Sequence, residues 1–363
     1  MRRDKKNRRS ARPLKEQLGI SHGGRSPALQ RALTDFGAEE SFGQAAKRFE
    51  EHYGWDIGRA TMRREVEQVA QLAERYVDIR LLEAFLNYSQ PHASLREDER
   101  VLVELDGCHI RTAQKVVVTG SEVTKKRRLP LSRRPCDWRE VRVGFARPVH
   151  NQEQRTFVAR MSKYPDIVQQ LVSAACDQGM KPNTPIFALA DGGNGLREAL
   201  LARFPNLTFI LDRPHVKQHL YATAQAMELT DSQRHSWVRQ QIHLLDCGHV
   251  QQVITTLGGY QGTGSDRVEN LCQYLQRFRD AVHYDHFRAI GLPVGSGEIE
   301  SAHRYIPQKR LKIPGACWHP NTINPMLALR IIRANNWWQD FWHFITTSPL
   351  LKNRVSVPVA VCG

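Results

Sequence analysis

Hydrophobic spacing divides the chain into a helical stretch, a stranded stretch and a second helical stretch. Ala45, Ala46 and Phe49 mark a short helix that Gly54 ends. A second helix opens at 57–61, carries Met62, Val66 and Val69 on one face, and runs to about Asn87. Helix, short glycine turn, helix is the spacing of a helix-turn-helix. Pro91 then breaks the pattern, and 88–98 reads as a linker. The apolar run 101–105 predicts a buried strand ending at Asp106, with Gly107 as the turn. Residues 115–119 predict a second strand, and the alternation of Val141, Val143 and Phe145 a third. Ile167, Leu171, Ala174 and Ala175 predict a helix stopped by Gly179. The run 185–190 is another buried strand, ending at Asp191. A short helix over about 195–203 and a strand over 207–211, closed by Asp212, come next. From 214 to about 285 the pattern is helical, with a capping box at Thr230 and Gln233 and helical spacing of Val268, Leu271, Cys272, Leu275, Phe278 and Val282. A glycine-rich turn at 291–297 leads into a helix bearing Glu298 and Glu300. The last strong helix is expected over about 324–345, with a tail beyond.

Charge changes this picture. The 363 residues carry a net +15, which favours a polyanionic partner, nucleic acid first. No strongly basic amphipathic helix with an aromatic face points to a membrane surface. No apolar run approaches the length of a membrane span, and the basic N-terminus is not followed by the apolar segment of a secretory signal. Seven cysteines, an odd count without a C-x-x-C pair, argue against a disulfide framework and a zinc ribbon. The expected compartment is therefore reducing and cytoplasmic. Arg59, Arg63 and Arg64 open the second helix and suit a groove-facing end. Lys125, Lys126, Arg127 and Arg128, with Arg133 and Arg134, form a basic hairpin tip suited to DNA contact.

Three predicted strands end in aspartates, Asp106, Asp191 and Asp212, and a helix start supplies Glu298 or Glu300. Acids at strand ends converge on one edge of a sheet, where their repulsion calls for cations. Mg²⁺ prefers oxygen ligands and takes one or two carboxylates plus substrate phosphates. Two such ions support in-line phosphoryl transfer. Glu298 and Glu300 lie about 200° apart on a helix, so both cannot face one site. Spacing does not choose between them. The order strand, strand, strand, helix, strand before Asp191 is that of a ribonuclease H-like fold.

The segments 103–107, 190–192, 211–215, 295–301 and 308–312, followed by Trp318, resemble the DDE transposases of ISKra-type insertion sequences, relatives of the Mutator-like superfamily. The resemblance covers roughly 100–345. It implies that Asp106, Asp191 and Glu300 are the catalytic metal ligands, and it selects Glu300 over Glu298. It implies Mg²⁺ as cofactor in a two-metal site, with Mn²⁺ as a substitute. Asp212 and His215 match the family's Asp-x-x-His signature and would support the ligands from behind. The implied activity is strand cleavage followed by attack of the 3′-hydroxyl on target DNA, by a nucleoid-associated prokaryotic protein. The partners would be double-stranded DNA, both element ends and target, and a second copy in a homodimer or higher assembly. One departure is the run Gly192, Gly193, Asn194, Gly195, where relatives place a small residue and then an aromatic.

The expected fold class is α/β: a ribonuclease H-like core, a mixed sheet flanked by helices, with an all-helical insertion and an N-terminal helix-turn-helix-like region. The expected organisation is a flexible basic arm over 1–34, the helical DNA-binding region over 35–95 and the first part of the core over 96–220. The insertion then spans 221–285, the second part of the core 286–346 and a tail 347–363. Arg304, Lys309, Arg310 and Lys312 are expected phosphate contacts beside the active site, and Trp318 a platform for an unpaired base near the cut. His215 and His219 sit at zinc-capable spacing, but no second pair accompanies them; His215 is expected to hydrogen-bond near the active site and His219 to be structural. Glu104 is expected to pair with a nearby Lys or Arg. Trp337, Trp338, Phe341 and Trp342 are expected to pack in a core or interface. Two rivals share these features: a ribonuclease H-like nuclease or resolvase without strand transfer, and a non-catalytic DNA-binding relative.

Overall fold

The computed structural model describes residues 25–87, 99–113, 136–193 and 195–347. Most of the expected basic arm, the 88–98 linker, the expected strand at 115–119, the basic residues Lys125, Lys126, Arg127, Arg128, Arg133 and Arg134, and the tail lie outside the described residues. The expected arm extends to residue 34, but a helix already begins at Pro27: α1 (Pro27–Gly37). Ser26 caps it, accepting from the Leu29 N–H, and Pro27 fits the first turn, where its missing N–H costs nothing.

The helices α2 (Phe42–Tyr53) and α3 (Arg59–Leu86) form as the spacing predicts. Gly54 ends α2 in the left-handed conformation, φ 66°, that glycine adopts without strain. Leu33, Ala45, Phe49, Met62 and Val66 bury between α1, α2 and α3. Gly37 lets α1 and α3 cross closely, since a Cβ there would collide with Val66. These three helices are not detached from the rest of the molecule. The 28-residue α3, about 42 Å long, packs along later helices of the core.

Among the described residues, five strands make one mixed sheet in the order β3-β2-β1-β4-β5. They are β1 (Val101–Ala113), β2 (Cys136–Pro148), β3 (Thr156–Arg160), β4 (Ile186–Ala190) and β5 (Leu207–Leu211). β1 and β2 pair antiparallel along their full length, β3 pairs antiparallel with β2, and β4 and β5 add in parallel. The helix α4 (Tyr164–Asp177) crosses from β3 to β4, and α5 (Leu196–Leu201) from β4 to β5. Two expectations change. β1 does not stop at Asp106 but continues through Gly107 to Ala113, because β2 supplies hydrogen-bonding partners throughout. The strand β3, only five residues long and short of β-branched alternation, carries too little pattern to be seen in advance.

After β5 the chain is helical: α6 (Arg213–Ala226), α7 (Asp231–Asp246), α8 (Val250–Gly258), α9 (Ser265–Arg277) and α10 (Tyr284–Ala289). Thr230 and Gln233 make the expected capping box on α7. The chain returns through α11 (Gly297–His303), a wide π-turn over Arg304–Gln308 and the short α12 (Lys309–Leu311). Pro307 lies inside that turn, where its missing N–H prevents a regular helical ladder. The expected last helix is two, α13 (Ile323–Ala334) and α14 (Trp338–Thr347), separated where Asn336 takes φ 58°. Trp337, Trp338, Phe341 and Trp342 are buried, as expected of a packing cluster.

Two helices of opposite character cover β1. Leu105 and Leu171 of α4 converge over Gly144, so the odd-numbered face of β1 meets an apolar helix. Glu104 and Asp106 share the other face. There they meet α11: Glu104 Oε2 accepts from the Ile299 N–H at 3.1 Å, and Asp106 meets His303. Among the described residues, no helix is long and apolar enough to cross a membrane.

Candidate active site

Strand register builds the site. β1 and β4 pair Val101 with Ile186 through Glu104 with Leu189, and continuing that register sets Asp191 opposite Asp106. β4 and β5 pair Ala190 with Leu211, which sets Asp212 beside Asp191. Neighbouring strands lie about 4.8 Å apart, so the three acids form a row. Asp106 and Asp191 line one cleft of about 90 Å³, together with Glu140, Arg142 and Tyr164.

The two cleft aspartates each face a histidine. His303 Nε2 lies 3.2 Å from Asp106 Oδ2, and His215 Nε2 lies 3.9 Å from Asp191 Oδ2. Burial pushes the Asp106 carboxyl up, but His303 outweighs it, with help from the Gly107 N–H and His215, and the pKa falls below its ordinary value. Burial pulls His303 down, yet Asp106 and Cys108 beside it lift its pKa to about 9. Asp106 is thus held as a carboxylate by a cationic imidazole that is almost fully buried. Asp191 Oδ1 accepts from the Gly193 N–H at 3.1 Å, which folds the loop after β4 back on the acid. Gly192 is required in that loop: a Cβ would sit 2.5 Å from the Tyr274 ring of α9.

Asp212 does different work. It is buried, and burial raises its pKa. Its Oδ2 caps α6 by accepting from the His215 N–H at 3.2 Å, and its Oδ1 accepts from the Ser296 N–H at 2.9 Å. One carboxylate therefore fixes both the helix that carries His215 and the turn that launches α11. His219 stacks on Tyr274 at 4.6 Å between centroids, and burial, then His215 and Arg267, lower its pKa.

The pair Glu298 and Glu300 separates. Glu298 receives two hydrogen bonds from the buried Arg147, at 2.9 and 2.6 Å, and lies 3.2 Å from Arg155. Glu300 is exposed, forms no ion pair among the described residues and does not line the cleft. It sits one turn before His303, about 60° around the helix. Glu104 differs from expectation. Its carboxyl caps the start of α11, while Arg147 goes to Glu298. Burial, then Glu298, raises its pKa well above its ordinary value, and its Oε1 has no hydrogen-bond partner among the described residues.

The other expected contacts scatter. Arg59 and Arg64 are exposed at the start of α3, and Arg63 pairs with Glu67 at 2.8 Å. Arg304 and Lys312 are exposed, and Lys309 pairs with Glu39 at 2.6 Å. Arg310 and Trp318 are not beside the cleft. Arg310 is buried and donates to the Gly37 carbonyl at 2.9 Å. Trp318 is buried at the far end of β1, where its N–H donates to Arg111 and its carbonyl accepts from Ala113. Its indole N–H donates to Leu311, and the Arg310 guanidinium covers its ring, so it offers no platform near Asp106.

Several site residues leave no usable signal in the sequence. His303 comes one helical turn after Glu300, and that spacing is its only trace. Glu140 and Arg142 reach the cleft through the β1–β2 register, which sets Arg142 opposite Gly107. That register is fixed across a long intervening segment and cannot be read from either strand alone. Among the described residues, no three His, Cys, Asp or Glu side chains gather closely enough to hold a metal by themselves. Asp106 and Asp191 still suit Mg²⁺ as donors, since that ion takes one or two carboxylates and completes its shell with water and phosphate. Compared with known protein families and with curated proteins, the chain matches none.

Proposed function

We propose that this protein is a DDE-type DNA transposase with a ribonuclease H-like core, cutting and joining DNA strands at the cleft between β1 and β4. The observation that carries this reading is the pair Asp106 and Asp191, on adjacent parallel strands and lining one cleft in a chain of net charge +15. The sheet order β3-β2-β1-β4-β5, with two antiparallel and two parallel pairings, is compatible with that core. Asp106 and Asp191 would hold Mg²⁺, with Glu300 as the third carboxylate. Mg²⁺ bound there would neutralise charge during in-line phosphoryl transfer.

The chain's own residues supply the rest. His303 keeps Asp106 ionised and oriented. His215 stands beside Asp191, in reach of a proton on the attacking or leaving oxygen. Asp212 holds His215 and the start of α11 in place. Water attacks a backbone phosphorus, the bond to O3′ breaks, and a 3′-hydroxyl is freed. That hydroxyl then attacks a phosphorus of target DNA and displaces another 3′-oxygen. Arg59 and Arg64, exposed on α3, are placed to meet phosphates of an element end. Two ends must be held together, so the working form is a dimer or larger assembly on DNA. A joining assay with pre-cleaved ends and Mg²⁺ tests this reading. Covalent joining to target DNA is expected, whereas hydrolysis without joining would mark a nuclease or resolvase instead.

A further inference from the structure

A groove of about 650 Å³ lies at the far end of β1 from Asp106. It falls within the ~300–1,000 Å³ of ordinary ligand sites. Three segments distant in sequence enclose it: the start of α2, the first turns of α3 and the loop at 313–319.

Arg310 lines this groove although it is 2% exposed. Its guanidinium is held between the rings of Phe42 and Trp318, 4.4 and 4.8 Å from their centroids. With Nε bound to the Gly37 carbonyl, the fork cannot swing away. Its Nη2 has no hydrogen-bond partner among the described residues. Burial, then the neighbouring Arg330, lower its pKa to about 10, which still leaves it charged at neutral pH. A buried, charged donor without an acceptor is costly, so the site is built for an acceptor that arrives from outside.

Two further features converge on the same space. Arg59 and Arg63 line the groove from α3, and Glu67, paired with Arg63, is the carboxylate among its walls. Three guanidinium groups face one carboxylate. The 12-residue α2 begins in the groove wall, with Ser41 as its cap and the first-turn N–H groups beyond intrahelical acceptors.

The geometry points to a phosphate site in this groove, in which a backbone phosphate of DNA seats between Arg59, Arg63 and the guanidinium of Arg310 against the start of α2. Ala113 lies seven residues beyond Asp106 on β1. At about 3.3 Å per residue, the separation along the strand is at most about 23 Å. A DNA strand advances about 3.4 Å per phosphate, so the seated phosphate is on the order of seven nucleotides from the one in the cleft. The groove would thus set how far from the cut the strand is gripped. The source of the phosphate rests on the proposed function, but the groove's affinity for phosphate does not.

The test has two arms on the full chain. In the first, inorganic phosphate replaces chloride at matched ionic strength, and thermal unfolding is followed. Phosphate is expected to raise the Tm of the wild type and of the double variant Asp106→Asn/Asp191→Asn alike. The rise is expected to shrink in Arg310→Met and in Arg59→Ala/Arg63→Ala. The latter changes only exposed side chains, so it keeps the fold even if Arg310→Met does not. An undiminished rise in Arg59→Ala/Arg63→Ala would overturn the site. In the second arm, a random-sequence 30-base-pair duplex is titrated across salt. Losing one phosphate contact is expected to reduce the log–log salt slope by about 0.9. A lost phosphate response with an unchanged DNA slope would overturn DNA as the source. Failure of the wild type to join DNA, with the phosphate response intact, would instead count against the transposase reading alone.

Discussion

One strand, β1, carries two sites of opposite charge. At Asp106 the sheet edge gathers carboxylates, of which Asp106 and Asp191 are partly exposed and each faced by a histidine. At Ala113 a buried arginine lies between two aromatic rings and faces a groove with two more arginines. The first site is made by register: adjacent parallel strands bring their last residues together whatever the intervening loops do. The second is made by tertiary assembly, from α2, α3 and a loop some 250 residues later. Charge placement obeys the same split. Under the proposed function, acids sit where a cation and a phosphate would meet, and arginines sit where a phosphate alone would be held.

The largest expected effect is at the acids. Asp106→Asn or Asp191→Asn should cost several kcal/mol of transition-state stabilisation, about 10³-fold in strand cleavage, with folding retained by circular dichroism. Arg59→Ala should reduce DNA affinity and leave the cleavage rate of bound substrate within a few-fold, which separates grip from chemistry.

Next comes the division of labour on α11. Glu298→Gln leaves the buried Arg147 without its charged partner and should destabilise the fold by about 3 kcal/mol in urea titrations. Glu300→Gln should leave the unfolding midpoint unchanged and reduce cleavage. The reverse pattern would move the catalytic role to Glu298.

Gly37→Ala is smaller. The added methyl meets Val66 and should cost about 1–3 kcal/mol. It also shifts the carbonyl that orients Arg310, so the phosphate response should weaken while cleavage of tightly bound DNA persists.

The smallest effect is a slope. Glu104 keeps its proton in the folded chain to a higher pH than in the unfolded chain, because burial and Glu298 raise its pKa above 4.5. As pH rises past the unfolded value, the unfolded chain releases that proton first, so stability falls with increasing pH until the folded pKa is passed. Glu104→Gln should flatten that decline between pH 5 and pH 8. Urea midpoints at the two ends of that window check it.

These differences also mark what residue order can reveal. Asp106, Asp191 and Asp212 close apolar runs, and such runs end at sheet edges, so their row is legible in the sequence. Their unequal roles are not. Asp212 caps α6 through the His215 N–H, and it is tied to the turn before α11 because Ser296, 84 positions later, supplies a second N–H. His303 reaches Asp106 through a helix docking and Glu140 enters the cleft through a strand register, and neither leaves a periodic trace. Arg310 and Trp318 are legible as a basic and an aromatic residue soon after Glu300, which suggests the wrong end of β1. The π-turn at Arg304–Gln308 and the loop at 313–319 carry them away from the cleft.

The measurement that bears most directly on the acid cleft is Mg²⁺-dependent cleavage of an end-labelled DNA duplex by the wild type, Asp106→Asn, Asp191→Asn and Arg59→Ala. Cleavage that requires Mg²⁺ and both aspartates, and survives Arg59→Ala at saturating DNA, is the expected result. Cleavage undiminished in either aspartate variant would contradict the account.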